Sequence, residues 1–537
     1  MRERTAVASL RVGRSPVFAQ GGVVATSQPL AAGAGLQVLR DGGNAVDAAI
    51  ATAAALNVVE PQSTGAGGDM FMLYWSARDR KLFGLNGSGR APRAATLARY
   101  REAGFQRMPD VGVFSATVPG AVDGWCAALE RCGSGKMPLR RLLAPAIHYA
   151  EKGYPLSPII ANAWRNQEAK LAKCAHSAKL YLPAGRAPRA GEVFRNPKLA
   201  ASLRAIGDGG REVFYEGPIA KEIVRYTKEL GGLFELDDFA ATRCAWVEPI
   251  RTSYRGHELC EIPPNGQGLA ALLCLNMIQG DPVGEFSYGS ADHLHLMIEA
   301  MKLAFADRSR YIADPEMAEV PVQGLLSKGY ARERRKLIDP GRAGDPAPGA
   351  PHGWSDTIYL TTADAEGNMC SFINSLFAHF GSGITGGETG IVLQDRGWGF
   401  VLEEGHPNCI APGKRPFHTI IPGFVMRGGE PWMSYGVMGG DMQPQGHVQV
   451  LSNMLDFGMD IQEALDAPRF RVLGGRKVAV EGGVPDAVLD ELRRRGHEVE
   501  RAGGYEGFGG GQGIVRLPGG VYMAGSDHRR DGCAAGF

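Results

Sequence analysis

The stretch "DTIYLTTADAEGN", residues 356–368, decides the fold of this chain. β-Branched and aromatic residues follow the Asp356–Thr357 pair and lead to a polar turn at Gly367, a pattern typical of the first arm of a β-hairpin. The second arm is "NMCSFINSLF", residues 368–377. Because threonine is itself a good strand former, the local pattern leaves open whether Thr357 is one more strand residue or the site of chemistry.

The segment before this hairpin has the opposite character. Residues 337–356, "LIDPGRAGDPAPGAPHGWSD", contain Pro and Gly at a density that regular structure does not tolerate. We therefore predict a mobile, exposed loop that leads directly to Thr357. The Asp356–Thr357 bond would then have a flexible loop on one side and a rigid strand on the other.

Further elements are predicted on both sides of this junction. Residues 44–62, "NAVDAAIATAAALNVVEPQ", read as an alanine-rich helix with Asn44 as its N-cap, and residues 63–75 read as a glycine turn followed by a strand. The apolar spacing of residues 292–312 predicts another helix, and residues 120–310 as a whole look mainly helical.

The last third of the chain is predicted to be richer in strands. Residues 417–426 and 431–440 are expected to form a second hairpin around the turn "RGGE". Residues 485–496, "PDAVLDELRRRG", predict a short helix with Gly496 at its C-cap.

Composition narrows the class of protein. A chain of 537 residues is long enough for two lobes or for one large layered α/β domain. The balance of 58 basic against 57 acidic residues indicates neither a nucleic acid partner nor an anionic membrane surface. No stretch has the ~18 uncharged apolar residues of a membrane span. Arginines interrupt the N-terminal apolar residues, so we expect no signal peptide, and nine cysteines without a CxxC pair fit a cytoplasmic protein.

Familiar catalytic and cofactor motifs are missing from the sequence. It contains no GxSxG elbow, HExxH motif, P-loop or metal-spaced Cys/His set. Residues 381–386, "GSGITG", match GxGxxG but open no evident helix, so a dinucleotide site is not expected. His293 and His295 are two apart on a predicted helix and point in different directions. We predict neither a metal nor an organic cofactor.

Three local features are not explained by folding alone. The first is the Asp356–Thr357 bond at the start of a strand. The second is "MGGDMQPQGH", residues 438–447, where paired glycines could present two backbone N–H groups to an oxyanion. The third is the basic and polar loop "GKRPFHTIIP", residues 413–422. Each feature alone is weak, since Gly-Gly is more often an ordinary turn.

Nine blocks of sequence, in one order along nearly the whole chain, share a pattern with a known family. They are "GGNAVDAAIATAAALNVVEPQSTGAGGDMFMLYW", "ATVPGAVDGW", "IEAMKLAFADRSRYIADP", "DTIYLTTADAEGN", "FGSGITGGETGIVLQ", "GKRPFHTIIP", "MGGDMQPQG", "DAPRF" and "GSDHRRDGCAAGF". Together they resemble the gamma-glutamyltransferase (gamma-glutamyltranspeptidase) family.

The resemblance implies an α/β fold of the N-terminal nucleophile (Ntn) hydrolase class, a four-layer αββα sandwich. It also implies an inactive precursor that cuts itself before a threonine, which here matches Thr357, so the cleavage site is Asp356–Thr357. The chain would divide into a large subunit, residues 1–356, whose last part, 337–356, is the mobile loop before the cut. The small subunit would be residues 357–537.

Physical chemistry agrees with this assignment of Thr357. A threonine hydroxyl is a poor nucleophile near neutral pH unless a base lies beside it, and cleavage creates a base in the new α-amine of the same residue. That amine has a reference pKa of about 7.7 to 8, so a useful fraction can accept the hydroxyl proton. The resemblance assigns the oxyanion hole to Gly439 and Gly440, and it assigns the hydroxyl that supports the nucleophile to Ser375.

Substrate recognition is where the sequence departs from the family pattern. The family's carboxylate-binding arginine falls at Ser88, its two serines at His418 and Thr419, and its two residues for the α-amine at Phe377 and Gly399. The predicted substrate-binding residues here are therefore Arg90, Arg396, His418 and Thr419. A desolvated substrate ammonium needs a carboxylate or several carbonyls as its partner. This sequence has neither at the two positions where the family binds the α-amine, since they are Phe377 and Gly399. We infer an acyl group that bears a carboxylate but lacks an α-amine.

Several functions stay open at this stage. The enzyme is expected to cleave a small-molecule amide whose acyl group is γ-glutamyl or related, by hydrolysis or by transfer to an amine. Oxamate-type and glutaryl or cephalosporin-type amidohydrolases of the same family are the alternatives, and neighbouring residues that restore the missing contacts would give an ordinary glutathione hydrolase. An unprocessed, non-catalytic binding protein is the alternative from another class. The large and small subunits are expected to stay associated, and whether the processed pair also forms a homodimer is left open.

Overall fold

The structure, a computed structural model, describes residues 13–346 and 357–537. The predicted cleavage residue Asp356 and most of the predicted loop thus lie outside the described residues, and the described part of that loop, residues 337–346, contains neither helix nor strand.

The helices and strands alternate along the chain. The helices are α1 (Pro29–Arg40), α2 (Ala45–Val59), α3 (Leu97–Glu102), α4 (Ala121–Cys132), α5 (Leu139–Lys152), α6 (Pro158–Arg165), α7 (Glu168–Leu171), α8 (Ala175–Tyr181), α9 (Pro197–Tyr215), α10 (Pro218–Glu229), α11 (Leu236–Ala240), α12 (Gly268–Ile278), α13 (Ala291–Tyr311), α14 (Val322–Leu326), α15 (Lys328–Arg335), α16 (Met442–Leu455), α17 (Ile461–Asp466) and α18 (Asp486–Arg494). The strands are β1 (Val17–Ala19), β2 (Gly22–Thr26), β3 (Asp69–Ser76), β4 (Lys81–Gly87), β5 (Tyr154–Pro155), β6 (Val193–Phe194), β7 (Ala245–Val247), β8 (Ile250–Tyr254), β9 (His257–Glu261), β10 (Ile358–Asp364), β11 (Met369–Ser375), β12 (Gly423–Arg427), β13 (Glu430–Met438), β14 (Phe470–Gly474), β15 (Lys477–Val480), β16 (Glu498–Arg501), β17 (Gly510–Arg516), β18 (Tyr522–Ser526) and β19 (Cys533–Gly536).

Two seven-stranded sheets form the centre of the molecule. The first sheet has the order β19-β2-β10-β11-β3-β4-β7, and the second has the order β1-β18-β17-β13-β12-β9-β8. One apolar cluster, which includes Phe71, Tyr359 and Phe424, joins residues of both sheets. A second cluster joins the first sheet to helices such as α2 and α5, and a third joins the second sheet to α12, α13 and α16.

The predicted hairpin at the start of the last third is confirmed. Strands β10 and β11 pair antiparallel, with Ile358 opposite Asn374 and Ala363 opposite Met369. Gly367 lies in the turn with φ of 90°, a conformation that glycine adopts without strain. Thr357 is therefore the residue immediately before a fully buried strand.

Two predicted helices are also confirmed, each with a capping residue that explains its start. The side chain of Asn44 accepts from the backbone of Asp47 while the Asp47 carboxylate accepts from Asn44 N–H, a capping box that begins α2. Every residue of α2 is buried, which explains its alanine-rich composition, since small side chains allow close packing. At the start of α13 the Ser290 side chain accepts from His293 N–H, a simple N-cap.

Other boundaries differ from the predictions. Residues 417–422 were expected to begin the second hairpin, but β12 begins at Gly423 because the backbone of His418 bonds instead to Asn265 and Gln267. In the region that looks mainly helical, β8 and β9 form one edge of the second sheet. The last predicted helix ends at Arg494 with Arg495 as its C-cap, so Gly496, with φ of 97°, lies one residue beyond the cap.

The contact between the two sheets sets the position of Thr357. Tyr359 on β10 packs over Gly436 on β13, and two residues further Thr361 Oγ1 lies 2.5 Å from Ser434 Oγ. β10 and β13 thus run in opposite directions where they face each other. The facing pairs are therefore 361 with 434 and 359 with 436, and the same spacing predicts that Thr357 faces Met438, the residue before Gly439 and Gly440. Among the described residues, none of the helices is both long and apolar enough to cross a membrane.

Candidate active site

The hydroxyl groups of Thr357 and Ser375 form the centre of the candidate site. Thr357 Oγ1 lies 2.9 Å from Ser375 Oγ, and both residues are fully buried in the uncut chain. Ser375 Oγ also accepts from Phe377 N–H at 2.8 Å and from Arg396 Nη2 at 2.8 Å. A serine oxygen has two lone pairs and one proton, so with both lone pairs in use its proton is donated to Thr357 Oγ1. This hydrogen bond orients the predicted nucleophile.

Arg396 is a buried cation one hydroxyl away from Thr357. Its Nη1 donates to Thr419 Oγ1 at 2.7 Å, and its guanidinium lies 4.4 Å from the centre of the Phe377 ring. Within the described chain it forms no direct ion pair, and its buried Nε has no acceptor. Burial lowers the pKa of Arg396 to about 10, so it stays protonated at neutral pH. A buried guanidinium with an unused donor is suited to an anionic ligand.

His418 pairs with Asp69. His418 Nε2 lies 2.9 Å from Asp69 Oδ2, and its Nδ1 accepts from Ile420 N–H at 3.3 Å, so the proton is on Nε2. Burial and then the charge of Arg396 lower the pKa of His418 well below its usual range, so the ring is neutral. Both ring nitrogens are engaged, which places His418 behind the site as a support.

Asp69 is a buried carboxylate that organises the loops around it. Its Oδ1 accepts from Gly89 N–H, Gly120 N–H and Gln394 Nε2 at 2.9 to 3.0 Å. Burial raises the pKa of the Asp69 carboxyl to about 7, while these hydrogen bonds and the charge of Arg396 act in the opposite direction. Asp69 also lies opposite Ser375 in the pairing of β3 with β11.

Gly439 and Gly440 form a tight turn between β13 and α16. Their φ angles of 113° and 58° lie in the region that favours glycine. Their carbonyls accept from Met442 N–H and Gln443 N–H at the start of α16. In the described part of the chain, neither glycine N–H donates to a loop carbonyl or a side chain. From the register of β10 against β13, we expect this turn and its two N–H groups to lie near Thr357.

Arg90 is the predicted site residue that the structure does not bring into this group. Its guanidinium donates to Glu316 at 2.7 Å and to Gly413 O at 3.0 Å, and it lies 3.6 Å from Asp314. These carboxylates already neutralise Arg90, so the geometry gives it no evident role in binding an acyl group. Arg396, by contrast, donates both to Ser375 and to Thr419.

The structure also explains how the departures from the family pattern fit together. Phe377, with φ of 82°, places its ring over Arg396 where the family has an asparagine. A Cβ at Gly399 would lie 2.5 Å from Phe417 O, so this backbone has no room for an acidic side chain there. Ser88 is buried and accepts from Asn265 Nδ2 at 3.0 Å.

A buried group elsewhere has the residue types of a metal site but not its hydrogen-bond chemistry. His295, Glu299 and His497 place their ligand atoms within 4.8 Å of one another. Lys302 Nζ lies 2.8 Å from Glu299 Oε1 and 3.3 Å from His497 Nδ1, and His497 Nε2 lies 2.8 Å from His295 Nδ1. Because an ammonium only donates, the proton of His497 is on Nε2, the atom that would have to bind the metal. His295 is thus a member of a buried hydrogen-bond network, which its position two residues from His293 did not reveal.

A surface cleft lies next to the glycine turn. It is lined by residues that include Arg308, Ser309, Asp441 and Pro346. Asp441 directly follows Gly440, and Pro346 is the last described residue before the predicted cleavage site. The cleft thus connects the surface with the neighbourhood of the turn.

Comparison with known proteins places this geometry in a family. A family model described as "Gamma-glutamyltranspeptidase" matches residues 31–537. The chain belongs to the gamma-glutamyltranspeptidase family. It is 39% identical over 525 residues to a "Glutathione hydrolase-like YwrD proenzyme" from Bacillus subtilis, covering 96% of this chain and 98% of the relative. It is 36% identical to an "Oxamate amidohydrolase proenzyme" from Klebsiella pneumoniae, covering 96% and 98%.

A solved structure agrees over the whole chain. The crystal structure of cephalosporin acylase from Bacillus halodurans superposes with a TM-score of 0.93 at 45% identity, covering 100% of this chain and 99% of that one. The protein is therefore an enzyme of the gamma-glutamyltranspeptidase family, with relatives that are named hydrolases, amidohydrolases and acylases and several that are named proenzymes.

Sequence reasoning missed three buried residues that support the site. Asp69 could have been predicted from the sequence, because it is an acidic residue at the start of an otherwise apolar strand. Gln267 and Arg308 gave no comparable signal, since Gln267 bonds to Gly440 and Arg308 to Asp441 only through long-range contacts.

Proposed function

We propose that this protein is a self-processing amidohydrolase with Thr357 as its N-terminal nucleophile. The observation that carries the proposal is the hydrogen bond that Ser375 donates to Thr357 Oγ1, because it gives this threonine an oriented, supported hydroxyl in a closed site. The two central sheets with helices on their outer sides fit the αββα sandwich of Ntn hydrolases. Self-cleavage at Asp356–Thr357 would give chains of 356 and 181 residues from the 537 of the precursor.

The proposed reaction uses the new α-amine of Thr357 as its base. Thr357 Oγ1 adds to the substrate carbonyl carbon while its proton passes to the α-amine. The oxyanion that forms would accept hydrogen bonds from the N–H groups of Gly439 and Gly440. The tetrahedral intermediate collapses by breaking the C–N bond, and the proton goes from the α-amine to the departing amine. Water then attacks the acyl-threonine ester, which regenerates the hydroxyl and releases the acid.

The acyl group in this proposal bears a carboxylate that pairs with Arg396. Arg396 is buried, cationic and within one hydroxyl of the nucleophile, and Thr419 Oγ1 fixes its orientation. Phe377 and Gly399 supply no carboxylate for an α-amine, which favours an acyl group without one. Oxamate-like and glutaryl-like amides meet this description, in keeping with the relatives named oxamate amidohydrolase and acylase.

A γ-glutamyl substrate is the second candidate, and one observation favours it. Asp395 Oδ2 is buried without a hydrogen-bond partner, beside the Arg396 backbone. An ammonium group could pair with this oxygen and so replace the family's missing acid. The relative named glutathione hydrolase-like is compatible with this alternative.

Denaturing electrophoresis and a substrate panel test the proposal. The purified wild type is expected to give two bands of 356 and 181 residues, and Thr357→Ala a single chain of 57.3 kDa. Parallel hydrolysis of oxamate, a glutaryl amide and a γ-glutamyl anilide then separates the acyl groups. An intact wild-type chain that hydrolyses none of them would contradict the proposed function, and strong preference for the anilide would favour the second candidate.

A further inference from the structure

A buried hydrogen-bond network lies directly behind the glycine turn. Gln267 Nε2 donates to Gly440 O at 2.9 Å and to Thr419 O at 2.7 Å, while Gln267 Oε1 accepts from Arg308 Nη1 at 2.7 Å. Arg308 Nη1 also donates to Asp441 Oδ1 at 2.7 Å. The network therefore holds Gly440 by its carbonyl and by the residue that follows it.

The side-chain amide of Gln267 has only one orientation that satisfies its partners. A guanidinium can only donate, and the two backbone carbonyls can only accept, so the amide oxygen must face Arg308 and the amide nitrogen must face Thr419 and Gly440. Gln267 is fully buried, so turning the amide around would leave these groups unsatisfied at a substantial cost. The network thus sets the plane of the Gly440–Asp441 peptide.

Arg308 is itself held in place by its surroundings. Its side chain on α13 is nearly buried, and its guanidinium lies 4.1 Å from the centre of the Phe305 ring and 5.3 Å from that of Phe417. The ion pair with Asp441 lies at the base of the surface cleft and is largely buried, since the two side chains expose only 4% and 6% of their surface. A buried guanidinium with fixed partners orients them more strictly than a solvated lysine would.

Glycine at two consecutive positions makes such support necessary. The φ angles of Gly439 and Gly440 are accessible to glycine at low cost, but the same freedom lets this backbone relax to other conformations. Oxyanion stabilisation needs N–H groups that point at the developing charge before the reaction begins. A flexible turn therefore gains catalytic value only when other residues hold it.

We propose that Gln267, Arg308 and Asp441 are positioning residues that hold the Gly439–Gly440 turn in the geometry of an oxyanion hole. This role rests on the function proposed above. Thr419 is held by the same Gln267 amide, so the network also fixes the turn relative to the acyl side of the site. Gln267 and Arg308 precede the proposed cut, whereas Thr419 and Asp441 follow it.

The variant Gln267→Met tests this role, because methionine has nearly the shape of glutamine but none of its hydrogen bonds. Displacement of the turn is expected to lower kcat by about 10- to 100-fold, less than full loss of an oxyanion donor. KM is expected to change less than kcat, since Gln267 holds Thr419 only by its backbone carbonyl and Arg396 still binds the Thr419 hydroxyl. Gln267→Glu should not rescue kcat, because its second oxygen would face two carbonyls.

Gln449→Met is the matched control for the loss of a buried amide. Gln449 Nε2 donates to Gln445 O and Phe470 O, and its Oε1 accepts from Phe470 N–H, each at 3.1 Å. It therefore loses three buried hydrogen bonds of the same kind on the body of α16. This variant is expected to lose stability but to keep the kcat of the wild type.

The outcomes separate this inference from the proposed function. All variants are measured as processed enzyme on the best amide of the substrate panel. An unchanged kcat in Gln267→Met, or an equal fall in Gln449→Met, would overturn the positioning role while leaving the Thr357 mechanism intact. A wild type that neither cleaves itself nor hydrolyses any amide would overturn both.

Discussion

Removal of the Ser375 hydroxyl is the sharpest test of the Thr357 site. In Ser375→Ala, Thr357 Oγ1 loses the hydrogen bond that it accepts, and Arg396 Nη2 and Phe377 N–H lose their shared acceptor. A hydrogen bond to a group that becomes charged contributes about 1.5 to 3 kcal/mol. The rate of self-cleavage should therefore fall by about 10- to 150-fold.

The assay needs no knowledge of the substrate, because in the proposed function Thr357 Oγ1 would also attack the Asp356 carbonyl carbon when the chain cuts itself. Precursor made in a cell-free system is sampled over time on denaturing gels, and the decay of the 57.3 kDa band gives a first-order rate. Ser375→Thr keeps the hydroxyl and should keep most of the rate.

Ser371→Ala provides the control from the same strand. Ser371 Oγ lies 2.6 Å from Tyr359 OH and is equally buried, but it does not contact Thr357. Its removal should therefore leave the rate of self-cleavage within about twofold of wild type, since the assay error and small packing changes are of this order. If Ser375→Ala cleaves as fast as Ser371→Ala, the reasoning about the donated hydrogen bond is wrong.

The remaining predictions concern packing and pH, measured by urea unfolding in an uncleaved Thr357→Ala background. Gly399→Ala should lower the free energy of unfolding by about 1 to 3 kcal/mol, because the new Cβ would lie 2.5 Å from Phe417 O. Gly329→Ala on helix α15 is the control and should not lower it, because a Cβ there meets no atom within 4 Å. Asp527→Asn should lower stability by about 3 to 5 kcal/mol at neutral pH, because Asp527 pairs with buried arginines; Asp490→Asn at the surface should change it by under about 0.5 kcal/mol. The arginine charges hold the pKa of Asp527 below its usual range. The ionised carboxylate therefore stabilises the fold fully above the unfolded pKa of about 3.9, and this contribution is lost as the pH falls through the folded pKa. A difference in unfolding free energy between Asp527→Asn and the parent that does not change with pH would contradict this assignment.

Local sequence signals predicted the elements that are determined by their own residues. The capping residue Asn44 and the buried alanines identify α2, and the alternation after Thr357 identifies the β10–β11 hairpin. The short strands β8 and β9 were missed although they pair with each other around the turn at Arg255 and Gly256, because five-residue strands give the alternation pattern few positions. The pairing that adds them to the second sheet, β9 with β12, joins residues more than 150 apart and leaves little trace in the sequence.

The candidate site divides in the same way. Thr357, Ser375, Gly439 and Gly440 were predicted from local pattern together with resemblance, and the structure brings Thr357 and Ser375 into contact. Whether Arg90 and His418 can bind substrate depends on whether other side chains of the protein already pair with them. Arg90 pairs with Glu316 and His418 pairs with Asp69, and neither pairing is visible until the chain is folded.

The order of strands in the first sheet has a consequence for the proposed cut. Strand β2 lies between β19 and β10, so a strand from before residue 357 is hydrogen-bonded on both edges to strands from after it. The second sheet mixes the two parts likewise, with β1 at one edge and β8 and β9 at the other. Scission of one peptide bond would therefore release no fragment. Once unfolded, however, the two pieces would have to find each other by diffusion and re-form an interleaved sheet, which turns a unimolecular folding reaction into a bimolecular one. The uncut chain would then be the form that folds without a partner, and the lifetime of the cut enzyme would depend on how slowly it unfolds.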